Sequence, residues 1–143
     1  MMKRLLLILL VIALTLAVGC TKSSPEITAD ITPQPSPIIK DITTQEAYAL
    51  IEENPDLIII DVRTPEEFAQ EHLENAINID SYSDTFRDEL DNLDKDKTYL
   101  IYCAVGGRSA DALAIMQELG FMEAYNMLGG INQWKQDGLP TTQ

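Results

Sequence analysis

One of the chain's two cysteines, Cys103, lies in the segment whose residue types are best suited to covalent chemistry. Cys103 directly follows an apolar run, 98–102. It is the first residue of the Cys103 loop, residues 103–109, which has the sequence Cys103-Ala104-Val105-Gly106-Gly107-Arg108-Ser109. The two glycines permit a tight turn whose backbone N–H groups point inward and bind an anion. The start of a following helix and the Arg108 guanidinium add positive charge, and all three effects favour the nucleophilic thiolate. The loop therefore predicts a reactive cysteine in an anion-binding ring.

Spacing alone also leaves open an inert Cys103, because free cysteines are among the most buried residue types. No second cysteine lies at a redox spacing, which excludes dithiol exchange of the thioredoxin type. Two cysteines and one histidine leave little for a metal site. We therefore expect no metal.

A second polar group, Asp61-Val62-Arg63, follows another apolar run at 57–60. Continuous apolar runs are typical of strands buried on both faces of a parallel sheet. Ligands of such sheets bind beyond the C-terminal ends of the strands. Asp61 and Arg63 are therefore expected near Cys103.

Predicted strands and helices alternate along the chain from Ile38 to Pro140. Thr43 or Thr44 is expected to cap the first helix, and Thr64 followed by Pro65 marks the start of the second. The first strand is expected to begin at 38, and the other four are expected at 57–60, 76–79, 98–102 and 123–127. The first helix is expected to end at 53, the second to begin at 64, and the other three to span 83–93, 108–119 and 130–136. This alternation predicts an α/β fold in three layers, with a central parallel sheet and helices on both faces.

Composition excludes several classes of protein. The 143 residues carry a net charge of -13, which argues against a nucleic-acid binder and against attachment to anionic lipid by charge alone. A hydrophobic content of 45% is too high for a disordered acidic chain. Two cysteines cannot form a disulfide-dense scaffold.

Residues 1–19 have the pattern of a processing signal. Lys3 and Arg4 precede an apolar run that is short for a membrane span and closes on Gly19-Cys20. The end resembles a bacterial lipoprotein cleavage box, with Ala17 where that family prefers leucine. The resemblance implies cleavage before Cys20, lipidation of Cys20, and an extracytoplasmic protein anchored to the bacterial membrane, in the periplasm or on the outer cell surface. A plain secreted protein and an uncleaved anchor are the alternatives.

Residues 20–37 contain four of the seven prolines and no helical or strand period. Proline disrupts the backbone hydrogen bonds of both helices and sheets, so we expect a semi-extended tether after the lipidated Cys20. The alternative is an arm packed on the domain. The folded domain is expected at 38–143. Loss of residues 1–19 would remove two basic residues and no acidic ones, which changes the net charge from -13 to -15.

The chain resembles the rhodanese-like single-domain sulfurtransferases over about 100 residues. The matching segments, in order, are 60–68, His72-Leu73 with 76–79, the Cys103 loop, and Gly129-Gly130-Ile131 with Trp134 and 138–140. The resemblance implies that Cys103 takes sulfane sulfur from thiosulfate, a persulfide or a polysulfide and passes it to a thiol or cyanide, without an organic cofactor. A protein is a further expected acceptor.

The resemblance also implies roles for the neighbouring residues. The backbone N–H groups of Ala104, Val105, Gly106, Gly107, Arg108 and Ser109 would bind the persulfide, and Arg108 would attract the anionic donor. Asp61 and Arg63 would brace the loop by hydrogen bonds. His72 and Trp134 are expected to be structural.

Departures from the family pattern bear on the chemistry. Four residues separate Cys103 from Arg108, where related phosphatases are expected to have one more, so phosphatase activity is not expected. Ala104 replaces a basic residue, which predicts weak use of thiosulfate. The corner 71–76 lacks the usual glycine, although Asn75 can adopt the same left-handed conformation. The alternatives to an enzyme are a rhodanese-like binding or sensing module and a thiol redox sensor, which would lack a resolving cysteine.

Overall fold

The computed structural model describes residues 36–143. The predicted signal, the lipidation of Cys20 and nearly all of the predicted tether lie outside these residues. No helix within 36–143 combines the length and apolar character that crossing a bilayer requires.

The strands and helices alternate as predicted. The strands are β1 (Ile38–Ile42), β2 (Ile58–Asp61), β3 (Ile77–Asn78), β4 (Thr98–Tyr102) and β5 (Glu123–Met127), and the helices are α1 (Thr44–Glu53), α2 (Pro65–Gln70), α3 (Phe86–Asp91), α4 (Gly107–Glu118) and α5 (Gly130–Gln136). All strand pairs are parallel, and the sheet order is β1-β5-β4-β2-β3. The predicted α/β fold is confirmed, with β4 at the centre of the sheet.

The side chains of β4 alternate between two apolar cores. Tyr99, Ile101 and the adjoining Cys103 belong to one core, which α3 and α4 cover. Leu100 and Tyr102 belong to the other, which α1 and α5 cover. Because helices cover both faces, every position of this central strand except Thr98 is buried, which is the origin of its continuous apolar run.

Side-chain caps determine where two of the helices begin. Thr43 caps α1 and Thr64 caps α2, and each forms a reciprocal capping box with a glutamate three residues later. The prediction for α3 was too long, because Ser83 and Thr85 hydrogen bond to each other and the Thr85 N–H donates to Ser83. Such local bonds compete with the helix, which begins only at Phe86.

Candidate active site

Cys103 lies at the C-terminal edge of the sheet, where β4 ends, and is only 1% exposed. The loop after it leads directly into α4. Asp61, the last residue of β2, is in register with Tyr102 of β4. The sheet therefore brings the two predicted polar groups to one edge, as the sequence indicates.

The Cys103 sulfur accepts hydrogen bonds from the loop that surrounds it. The Gly106 N–H donates to Sγ over 3.1 Å, and the Ser109 hydroxyl donates over 3.5 Å. Burial by itself raises the pKa of the Cys103 thiol, but the Ser109 hydroxyl and the N–H groups of Ser109, Val105 and Gly106 outweigh it and lower the pKa below its ordinary value. The loop therefore stabilises a thiolate.

Only one of the two loop glycines needs glycine's conformational freedom. Gly106 has a φ of 96° and forms the N-cap of α4, with its N–H directed at the sulfur. A Cβ on Gly106 would also lie 3.2 Å from the Gly129 nitrogen. Gly107 has no atom within 4 Å of its equivalent position. The ring around the sulfur therefore depends on Gly106.

The start of α5 holds the Cys103 loop through hydrogen bonds to two of its backbone carbonyls. The Ile131 N–H donates to the Cys103 carbonyl over 2.9 Å, and the Asn132 N–H donates to the Ala104 carbonyl over 3.1 Å. Gly130, whose φ is 57°, passes close against the same two carbonyls. Residues 129–131 belong to the segments that resemble the rhodanese-like family, and the glycine pair before a helix is the sequence signal for this contact.

Arg108 is held by the carboxylate of Glu67, which was not among the predicted site residues. Its guanidinium makes two hydrogen bonds of 2.9 Å to the two carboxylate oxygens of Glu67 in α2. This pairing lowers the pKa of Glu67 to about 2. The Tyr82 ring lies 5.5 Å from the same guanidinium. Arg108 thus joins the start of α4 to α2. Glu67 lies within segment 60–68, which resembles the rhodanese-like family, but no local pattern there indicates that Arg108 is its partner.

The Asp61 and Arg63 side chains do not brace the Cys103 loop as expected. Asp61 receives hydrogen bonds from the backbone N–H and guanidinium of Arg63, the shortest at 2.6 Å. Arg63 also donates to the Glu71 carbonyl over 2.6 Å. Within residues 36–143, neither side chain hydrogen bonds to residues 103–109. Buried charged groups need a hydrogen-bonded partner of opposite charge, and Asp61 and Arg63 provide this for each other. Through its bond to the Glu71 carbonyl, the pair braces the corner after α2.

His72 and Trp134 occupy structural positions. The His72 backbone pairs with Thr142 in an isolated bridge, and its ring stacks on Phe68 with centroids 3.9 Å apart. Trp134 is 2% exposed and its indole N–H donates to the Pro140 carbonyl. Asn75 has a φ of 62°, so it adopts the predicted left-handed conformation in the corner.

Large exposed apolar side chains border the Cys103 loop. Val105 is 66% exposed within the loop, and Tyr82, against Arg108, is 71% exposed. A cavity of about 160 Å³ opens beside Arg108 and is lined in part by Ser81, Tyr82 and Asp111. In the part of the chain that the structure describes, no cluster of His, Cys, Asp or Glu has a metal-binding arrangement. The site is therefore a buried cysteine sulfur that accepts hydrogen bonds from the loop around it and has exposed apolar side chains at its rim.

The sequence of the chain is similar to those of known proteins. Residues 43–137 match the sequence model described as the rhodanese-like domain. A protein of Allochromatium vinosum named sulfurtransferase is 29% identical over 72% of the chain and 94% of its own length. Thiosulfate sulfurtransferase GlpE of Coxiella burnetii is 32% identical over 67% of the chain and 87% of its own length.

Solved structures share the fold. The crystal structure of a rhodanese-like domain protein from Staphylococcus aureus has 36% sequence identity and a TM-score of 0.62, covering 73% of this chain and 99% of that one. A rhodanese-related protein from Thermoplasma volcanium has 31% identity and a TM-score of 0.63, covering 72% of this chain and 97% of that one. The described elements thus have the architecture of these proteins.

Proposed function

The chain belongs to the rhodanese-like domain family, and from this premise we propose that it is a sulfurtransferase that carries sulfane sulfur as a persulfide on Cys103. The observation that carries the proposal is the Cys103 sulfur itself, which accepts hydrogen bonds from Gly106 and Ser109 at the start of a helix. A nucleophilic thiolate and fixed donors around its sulfur are the two requirements of this covalent chemistry. The named activities of relatives at 29% and 32% identity support the same class.

The proposed reaction has two displacements. The Cys103 thiolate attacks the outer sulfur of a donor RS–SH, forming the Cys103 S–S bond while the donor S–S bond breaks and RS⁻ leaves. With thiosulfate the leaving group is sulfite. An acceptor thiolate or cyanide then attacks the outer persulfide sulfur, and Cys103 leaves as the thiolate that began the cycle. In the first step the cysteine sulfur reaches the oxidation level of a disulfide while the donor is reduced to RS⁻ or sulfite. The second step returns Cys103 to the thiolate, so the full cycle moves one sulfur atom with no net oxidation of the enzyme.

The Gly106 N–H, the Ser109 hydroxyl and the N-terminal end of α4 have defined tasks in this cycle. They stabilise the Cys103 sulfur when it is a thiolate, both before attack and as the leaving group. The inward N–H groups of the Cys103 loop are also the donors available to the outer persulfide sulfur, which carries negative charge. Because α5 holds the Cys103 and Ala104 carbonyls from behind, the ring is formed before the donor arrives.

We propose a persulfide, a polysulfide or a protein-bound persulfide as the natural donor in preference to thiosulfate. Ala104 supplies no positive charge beside the sulfur, and the whole chain has a net charge of -13. A small dianion is repelled by such a body. The exposed Val105 and Tyr82 side chains favour a donor or acceptor with apolar surface, which includes a protein.

Membrane attachment is a further part of the proposal. The Gly19-Cys20 junction after an apolar run supports cleavage and lipidation at Cys20, with the domain outside the cytoplasm. Growth with a labelled fatty acid should label the wild-type chain, and Cys20→Ser should abolish the label and release the protein from the membrane fraction. Equal labelling of the two proteins would refute the assignment.

The decisive experiment is mass spectrometry of the full chain after treatment with an organic persulfide or a polysulfide. The Cys103 peptide should gain about 32 Da and lose it when cyanide is added, while Cys103→Ser should show neither change. A chain that takes up no sulfur from any donor would refute the proposal and favour a binding or sensing module. A gain of oxygen in place of sulfur would favour the redox sensor.

A further inference from the structure

The contact between Arg108 and Glu67 has a consequence for the choice of donor. Arg108 is the cationic side chain of the Cys103 loop, and it lies near enough to Cys103 that the thiolate adds to the effect of Glu67 in raising the pKa of the guanidinium. An unpaired arginine in this position would attract an anionic donor. Here both oxygens of a carboxylate occupy it, each at 2.9 Å.

The geometry points to Glu67 as a specificity-determining residue, which neutralises Arg108 and thereby disfavours dianionic sulfur donors relative to singly charged or uncharged persulfides. This inference rests on the proposed sulfur transfer. It concerns the charge that a donor meets at the mouth of the site, where Arg108 and Glu67 together contribute no net charge. A donor therefore meets no net positive charge from this pair, and the Asp111 carboxylate in the lining of the cavity beside Arg108 adds a negative charge.

Glu67 is also held by the N-terminal turn of its own helix, α2. One Glu67 carboxylate oxygen also accepts the Thr64 N–H over 3.1 Å, and the Glu67 N–H donates to the Thr64 hydroxyl. Glu67 is thus held by the start of α2 as well as by Arg108. Its side chain is 35% exposed and that of Arg108 is 22% exposed, so solvent screens the pair only in part.

The other arginine at this edge of the sheet cannot replace the lost charge. Arg63 is bound by Asp61, and its side chain is 7% exposed. Among the described residues, both arginines of this edge are therefore paired with carboxylates. Ala104 adds none, so a dianion such as thiosulfate finds no unpaired cation on the loop itself.

The test compares Glu67→Gln with the matched control Glu66→Gln in the full chain purified in nonionic detergent. Both substitutions remove one negative charge from the first turn of α2, but Glu66 is exposed and does not contact Arg108. Glutamine also serves at the third position of a capping box, so α2 keeps its cap. The measurement is kcat/KM for thiosulfate and for an organic hydropersulfide with an uncharged tail, with cyanide as the common acceptor.

Glu67→Gln should raise kcat/KM for thiosulfate about tenfold, equivalent to about 1.4 kcal/mol, and change that for the hydropersulfide by less than about threefold. Glu66→Gln should change both by less than about twofold. An unchanged or lower thiosulfate value in a folded Glu67→Gln protein would overturn the inference. An equal rise for both donors would overturn it too, because a donor's charge would then be irrelevant.

A measurement on the wild-type chain gives an answer even if Glu67→Gln fails to fold. With Arg108 neutralised, kcat/KM for thiosulfate should stay constant or rise with ionic strength, because salt screens repulsion between the dianion and the acidic protein. A fall with ionic strength would reveal a free positive charge and overturn the inference. If instead no donor places sulfur on wild-type Cys103, the proposed function itself fails, and the inference fails with it.

Discussion

Replacing Gly130 by alanine tests how α5 supports the Cys103 loop. A Cβ built on Gly130 would lie 2.6 Å from the Ala104 carbonyl carbon and closer still to the Cys103 carbonyl oxygen. These are backbone atoms and cannot rotate away, so α5 and the loop must separate. Gly138 is the matched control, because it also has a positive φ, of 74°, but no atom within 4 Å of the same position.

The expected loss of stability is worked out from two contributions. A left-handed conformation costs an alanine about 1–2 kcal/mol, which applies to both variants. Gly130→Ala also disrupts the hydrogen bonds from Ile131 to Cys103 and from Asn132 to Ala104, each contributing about 0.5–1.5 kcal/mol. We therefore expect Gly130→Ala to lower the free energy of unfolding by about 2–5 kcal/mol and Gly138→Ala by about 1–2 kcal/mol.

The assay is urea unfolding followed by the fluorescence of Trp134, the single tryptophan, which is 2% exposed. In conditions where Gly130→Ala remains folded, it should also form the Cys103 persulfide more slowly than Gly138→Ala, because the displaced carbonyls no longer orient the thiol. If both variants lost the same stability within about 0.5 kcal/mol, the close approach of Gly130 to the loop would carry no energy and the reasoning would be wrong.

Three further predictions concern charges and hydrogen bonds. Ser109→Ala should raise the pKa of Cys103, because the thiolate loses the hydroxyl hydrogen bond. The rate of alkylation below that pKa should fall about tenfold, equivalent to the loss of about 1.4 kcal/mol from one hydrogen bond to a charged group. Arg63→Met should lower the free energy of unfolding by about 3–5 kcal/mol, because it leaves Asp61 buried and unpaired. The folded-state pKa of Glu67 is about 2 against an ordinary 4.5, so its contribution to stability is complete above pH 4.5 and is lost as the pH falls toward 2. Glu67→Gln should therefore lose less stability than wild type across that interval, as measured by urea unfolding at each pH.

Each of these predictions has a control. Ser36→Ala, at an exposed serine, should leave the alkylation profile unchanged, and an unshifted profile for Ser109→Ala would mean that its hydroxyl does not stabilise the thiolate. Arg87→Met breaks an exposed ion pair and should cost less than about 1 kcal/mol; an equal cost for Arg63→Met would contradict the buried-pair argument. Glu66→Gln should keep the wild-type pH dependence, so a flattening in that variant as well would point to a cause other than the pairing with Arg108.

The fold was largely predictable because its signals are local. The apolar run before Cys103 indicates a strand covered on both faces, and the Thr64 and Pro65 pair marks the start of α2, as the structure confirms. These patterns depend on residues a few positions apart. The start of α3 was predicted too early. Ser83 and Thr85 favour a turn through side-chain hydrogen bonds, and apolar periodicity does not reveal such bonds.

The candidate site was predictable only in its central loop. Gly106 and Ser109 follow Cys103 within six residues, so the hydrogen bonds to the sulfur arise from the connection between β4 and α4. The assignment of Asp61 and Arg63 as braces of that loop was wrong, although their position at the same edge was correct. The position of a strand end determines where the backbone of these residues lies. The hydrogen-bond partner of a buried arginine depends instead on which acceptors surround its side chain in the folded protein.

Local sequence patterns were enough to predict the α/β class and the loop that surrounds Cys103, since each depends on neighbouring residues and their periodicity. Tertiary structure alone decided that Glu67 neutralises Arg108 and that α5 holds the loop. Both follow from the sheet order, in which β4 lies between β2 and β5, so that the segments after all three strands meet at one edge. Strand order arises from packing between distant segments, and for this reason local sequence patterns do not encode the pairing of Arg108 with Glu67.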